Sequence, residues 1–212
     1  MTTLAPSAPR LVLADRVFGR TVALDVVLVI AGAALVTVLA QLSIPLQPVP
    51  ITGQTLAVLL VGSTLGWARG GLALVLYAVL GLVGLPVYAP QPDGSHLTGL
   101  TAFASPSFGY IVGFIVSAAL VGWLAERQWD RKVLKALVTF AAGSLVVFAI
   151  GLPWLAVVLG RLGIPNDLQS VLVAGFYPFL IGGVIKAVIA AGLLPLAWWG
   201  ANKLTKKPAE NE

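Results

Sequence analysis

The chain has 212 residues, 58% hydrophobic and only 10% charged, with a mean hydropathy of +0.98. That composition lies far outside the soluble globular norm, and ~six apolar spans of ~20 residues use up the length, which excludes a separate water-soluble catalytic domain. The formal charge of +5 sits at loops and termini, where it reports membrane topology before any nucleic-acid partner, and the absence of cysteine excludes disulfides, thiolate catalysis and thiolate metal sites.

Met1 to Arg20 reads as a polar, arginine-bearing segment, followed by a first span from about Thr21 to Ile44. Positive charge ahead of an apolar run also fits a secretory signal, but this run is too long for an h-region and flows into further membrane segments. Pro45, Pro48 and Pro50 remove backbone donors and fix φ, so Pro45–Pro50 is an extended connector. Thr52 is placed to cap a short second span ending near Leu65. Gly66–Gly71 then reads as a tight interfacial turn, and a third span runs to Leu82 before Gly84-Leu85-Pro86. Tyr88–Pro106 is the longest polar stretch within the apolar region, and loops of that length without secondary structure are often functional. A fourth span covers about Ser107 to Ala125, and the charged loop Glu126–Lys132 leads to a fifth span ending near Leu159. A sixth runs from about Val171 to Gly200, ahead of the basic Lys203–Lys207.

The fold class expected is all-α: a polytopic membrane protein with six transmembrane helices over 21–200, a polar segment 1–20 and a basic/acidic tail 201–212. Of the 13 basic residues, all but Lys186 and Arg161 fall on one side of this layout. The positive-inside bias therefore places both termini and the charged loops in the cytoplasm of a bacterial-type cell membrane, with Tyr88–Pro106 and Pro45–Pro50 facing outward.

The machinery for bond chemistry is missing. The single histidine, His96, lies in the outer loop, and the sequence holds no His-Glu-x-x-His, no paired intramembrane carboxylates and no phosphate-binding Gly-x-x-x-x-Gly-Lys motif. The reading is binding and passage of a solute, with no enzyme activity, cofactor or metal.

Lys186 stands in the middle of the apolar run Phe176–Pro195, where an ammonium costs a few kcal/mol unless it faces a cavity or finds a partner. It either snorkels to the interface or marks a binding site, and ~10 residues to either end make snorkelling hard. Gly182 and Gly183 lie one helical turn before it, giving either space beside the ammonium or close helix packing. Gln54, Thr55, Tyr88, Tyr110 and Trp154 are further polar candidates. Tyr and Trp at such positions are commonly interfacial anchors, but all of these except Thr55 gather near one outer rim. In the first span, Ala33 and Thr37 stand four apart, a small-xxx-small spacing that serves either a partner helix or the chain's own packing.

Four stretches, Gln41–Leu56, Tyr77–Val87, Ser105–Phe114 and Pro178–Lys186, resemble in order the motifs of the BioY family, the biotin-binding S components of energy-coupling factor transporters. The resemblance implies a six-helix subunit that captures biotin from outside, energised by a membrane coupling subunit and ATPase subunits. The substrate-binding set expected is Lys186, Tyr110, Gln54, Tyr88, Phe103, Trp154 and Gly183, and the partner interface expected is Ala33 and Thr37, where the family typically shows Ala-x-x-x-Ala. The last motif usually reads Pro-Gly-Asp-x-x-Lys. Here Ile181 replaces the proline and Gly183 the acid, so Lys186 lacks its i−3 carboxylate. The outer loop is also richer in Pro, Asp and Thr than the family's glycine-rich one. Biotin offers a ureido ring with two donors and an acceptor, an apolar sulfur ring and an anionic valerate, which suits an apolar pocket with few polar groups and one cation. Two other readings remain: a structural membrane protein without ligand, and a stand-alone facilitator.

Overall fold

A computed structural model describes residues 12–204; Arg10, Lys206, Lys207 and the rest of the two termini lie outside the described residues. Nine helices and a two-stranded hairpin are present among these residues: α1 Leu13–Phe18, α2 Val22–Gln41, β1 Ser43–Ile44, β2 Ile51–Thr52, α3 Gln54–Leu65, α4 Trp67–Leu82, α5 Gly99–Phe103, α6 Phe108–Ala125, α7 Val133–Arg161, α8 Leu168–Gly175 and α9 Tyr177–Leu204. α2, α6, α7 and α9 are long and apolar enough to cross a membrane, while α3 and α4, of 12 and 16 residues, fall short of a full ~20-residue span.

Several boundaries differ from the sequence reading. The first span ends at Gln41, because Ser43–Ile44 pairs antiparallel with Ile51–Thr52 and turns Pro45–Pro50 into the tip of a hairpin. Gly53, not Thr52, occupies the N-cap of α3. The Thr52 hydroxyl still accepts from the Gln54 N–H at 3.2 Å, one position early. The expected turn at Gly66–Gly71 shrinks to Gly66 alone, whose φ of 86° suits glycine; Arg69, Gly70 and Gly71 are already helical. Glycine at 70 and 122 lets backbones touch: a Cβ at Gly70 would lie 3.0 Å from Gly62 Cα, and one at Gly122 2.4 Å from the Gly66 carbonyl carbon. The sixth span breaks at Phe176, which leaves the helical region before Pro178 sits in the first turn of α9, where its missing N–H costs nothing.

Ala33, placed with Thr37 at the expected partner interface, packs within the chain. It is buried in the chain's own core beside Val36, and the Thr37 hydroxyl turns back to the Ala33 carbonyl at 2.9 Å. Gly32, next to it, would place a Cβ 2.9 Å from Ala73 of α4, so this face of α2 is filled by α4. The exposed side of α2 carries Ala31, Ala34, Leu35 and Val38 instead.

The segment before the first span also carries structure. Val12, Ala14 and Asp15 are buried, and Asp15 accepts from Arg20 Nη2 at 2.5 Å and Arg69 Nη2 at 2.6 Å, while Arg69 Nη1 reaches Asp25 at 2.9 Å. This network ties α1, the start of α2 and the start of α4 into one end of the bundle. Burial pushes the Asp15 carboxyl up, but hydrogen bonds and charge from Arg20 and Arg69 outweigh it and hold the group below its ordinary 3.8. A depressed folded-state pKa stabilises the fold above the ordinary value, and this contribution is lost as pH falls through the folded one. The thermal midpoint should therefore hold from neutral pH to about 4 and drop below it, and Asp15→Asn should lower the neutral midpoint and flatten that drop.

Candidate ligand cavity

The first turns of α3, α6 and α9, with the middle of α7, the hairpin and the segment between α4 and α6, enclose a cavity of about 330 Å3. That volume is in the range of small-molecule sites, ~300–1,000 Å3, and too small for a polymer. On α9, Phe179, Gly183, Lys186 and Ala187 recur at helical spacing and line one wall. Opposite them stand Thr52, Gln54, Thr55 and Leu59 of the hairpin and α3, and the aromatic wall comprises Tyr110, Phe148, Phe176 and Phe179. Phe179 stacks on Tyr110 at 6.2 Å and 29°, and Phe148 meets Phe176 edge-on at 4.8 Å. Lys186 is the sole formally charged side chain among the lining residues.

The ammonium has found partners without an acid. Lys186 Nζ donates to the Thr52 carbonyl at 2.5 Å and to Thr55 Oγ1 at 3.1 Å, and among the described residues no carboxylate lies within ion-pair distance of it. An ammonium has three donors, so one remains for a solute. Thr52 also organises its neighbour. Its hydroxyl accepts from the Gln54 N–H and so turns its own proton to Gln54 Oε1 at 2.7 Å, which leaves Gln54 Nε2 donating to the Tyr77 hydroxyl at 2.6 Å. The Gln54 amide is thereby fixed in one orientation with a single N–H uncommitted.

Gln54, Thr55, Tyr88, Tyr110, Gly183 and Lys186 are thus brought together around one space. The tyrosines contribute rings more than hydroxyls, because Tyr88 donates to the Ala78 carbonyl at 2.6 Å and Tyr110 to the Gly175 carbonyl at 2.9 Å. Gly183 faces open space, with no atom within 4 Å of an added Cβ. Trp154 and Phe103 lie behind the wall instead: Trp154 Nε1 donates to the Ser105 carbonyl at 2.9 Å, and Phe103 packs edge-on against the indole at 5.5 Å. They brace the segment that carries Ser105 and Ser107 to the cavity rather than lining it. His96 anchors the loop between α4 and α5, its Nε2 lying 2.9 Å from Gln41 Oε1 at the end of α2.

Sequence reasoning missed Tyr77, Phe148 and Phe176. Phe176 and Phe179 flank Pro178 at a spacing of three, a signal that was available. Phe148 gave none, since α7 is apolar on every side.

Residues 12–203 match the model of the BioY family. The chain is 36% identical over 177 residues to the biotin transporter BioY of Rhizobium etli, an alignment covering 79% of this chain and 89% of that one. It is 36% identical over 158 residues to the biotin transporter BioY of Thermotoga maritima, covering 74% and 86%. Among solved structures, the fold is similar to the S-component for biotin from an ECF-type ABC transporter, with a TM-score of 0.66 and 24% identity over 84% of this chain and 92% of that one.

Proposed function

The chain belongs to the BioY family, and from that premise we propose that its outer cavity captures biotin for uptake across the membrane. The family and the named relatives are transporters, so the protein is a carrier and not an enzyme. The observation that carries the substrate reading is the pairing of a single ammonium, Lys186, with a largely apolar, aromatic cavity of vitamin size. The aromatic wall suits the apolar sulfur ring, the oriented Gln54 amide and the Thr55 hydroxyl offer hydrogen bonds to the ureido group or the carboxylate, and one cation matches one anion. In this chain the Thr52 carbonyl and Thr55 hydroxyl do for the ammonium what the family's acid would do, which accounts for a glycine at 183.

Six membrane crossings follow when α3 and α4 are counted with the four long helices, as a pair joined by the Gly66 turn. Both termini then lie in the cytoplasm of the cell membrane, on the side of the basic residues, and the cavity opens outward. The chain holds no nucleotide-binding motif, so coupling and ATPase subunits supply the energy. The absence of native cysteine makes this testable: Asp93→Cys should react with an impermeant thiol reagent on intact cells, and Gln128→Cys only after permeabilisation. Biotin accumulation in cells should require the chain together with the coupling and ATPase subunits. Accumulation by the chain alone would favour a stand-alone facilitator.

A further inference from the structure

The end of the bundle away from the cavity carries basic side chains held on tryptophan faces. The α6–α7 loop joins α9 at Trp198, whose Nε1 donates to the buried Asp130 carboxylate at 2.5 Å while the Arg131 guanidinium lies 4.1 Å over the same ring. One residue before Asp130, Trp129 holds the Lys135 ammonium at 5.6 Å; one residue after Trp198, Trp199 holds the Lys203 ammonium at 3.7 Å. Lys132, at the N-cap of α7, is exposed within this chain of contacts, and Arg127 sits 3.4 Å over Trp123 on the same loop's other flank. The acids of the loop turn inward, Asp130 to Trp198 and Glu126 Oε1 to the Trp67 N–H at 3.2 Å. Lys132, Lys135 and Lys203 are exposed.

Apolar surface adjoins these cations. Leu134 is 74% exposed and Val138 also exposed on α7, with Leu196 and the 61%-exposed Trp199 on α9. Stacking on an indole fixes a cation at the depth where headgroups meet hydrocarbon. A soluble anion would leave the apolar faces unused, and an acidic protein segment would not need them. Only an anion that carries hydrocarbon satisfies both parts of the surface.

We propose that the joint formed by the α6–α7 loop, the start of α7 and the end of α9 binds the phosphate headgroup of an anionic phospholipid, with its acyl chains lying on the exposed faces of α7 and α9. Lys132, Lys135 and Lys203 supply the charge, and Trp129 and Trp199 hold two of these ammoniums in place. The test is native mass spectrometry of the full chain in detergent with equimolar phosphatidylglycerol and phosphatidylcholine. The parent should retain phosphatidylglycerol with a preference of roughly tenfold. The triple variant Lys132→Gln, Lys135→Gln, Lys203→Gln should lose that preference while keeping its thermal midpoint in phosphatidylcholine, and the corresponding triple arginine variant should keep the preference. Equal retention of both lipids by the parent, or an undiminished preference in the glutamine triple, would overturn the proposal. Displacement of the lipid by millimolar glycerol phosphate would overturn it too, leaving a site for any small anion.

Discussion

Replacing Lys186 by alanine should weaken biotin binding by roughly one to two decades, since a charge-assisted hydrogen bond is worth ~1.5–3 kcal/mol. Lys186→Met, which keeps most of the stem, should be as damaging to binding in a chain that still folds, because removing a charge from an apolar setting offsets the lost contact with the Thr52 carbonyl. The geometry adds a discriminating arm. Part of what Lys186 does is to hold the Thr52 carbonyl and with it the hairpin beside the cavity. Thr55→Val removes one acceptor from the ammonium and leaves the Thr52 contact and the charge in place, so it should cost no more than about fivefold. A loss for Lys186→Met no larger than that for Thr55→Val in titration calorimetry would mean that the ammonium makes no contact of its own with the ligand.

Gly183→Leu should abolish measurable binding, a loss of more than about 100-fold, in a chain that folds normally. Nothing lies within 4 Å of a Cβ built at Gly183, and the residue lines the cavity one helical turn from Lys186. The close-packed glycines behave differently: a Cβ at Gly109 would run into the Trp154 side chain at 2.2 Å and one at Gly81 into the Tyr88 ring at 2.1 Å. The open space at Gly183, which lines the cavity, is the space we assign to the ligand. An isobutyl group there occupies volume that a ~330 Å3 cavity cannot spare for a vitamin-sized solute. Normal affinity in the folded leucine variant would place biotin elsewhere.

The spans and the lysine were legible because each is a one-dimensional signal. Apolar runs mark α2, α6, α7 and α9, and a charge within such a run marks itself. Lys186 and Gly183 share a face by helical spacing alone, and the hairpin prolines announce a non-helical connector. What Lys186 bonds to was not legible, because its partner is a backbone carbonyl 134 residues earlier and no side-chain spacing encodes it. Asp15 was missed for a related reason: its value depends on Arg69, which arrives from another helix. The fate of Ala33 turned on whether α4 or a foreign helix fills its face, and small-residue spacing serves both equally. Trp154 and Phe103 stand at the right depth but one layer behind the wall, a distinction of direction that aromatic residues at a common rim do not reveal.

The most direct measurement is equilibrium binding of radiolabelled biotin to the purified chain in detergent, run beside Lys186→Met and Gly183→Leu of matched thermal stability. Saturable binding by the parent at one site per chain, weakened by one to two decades in the methionine variant and absent in the leucine variant, is the predicted result. A folded parent chain that binds no biotin, or two variants that bind like the parent, would contradict it.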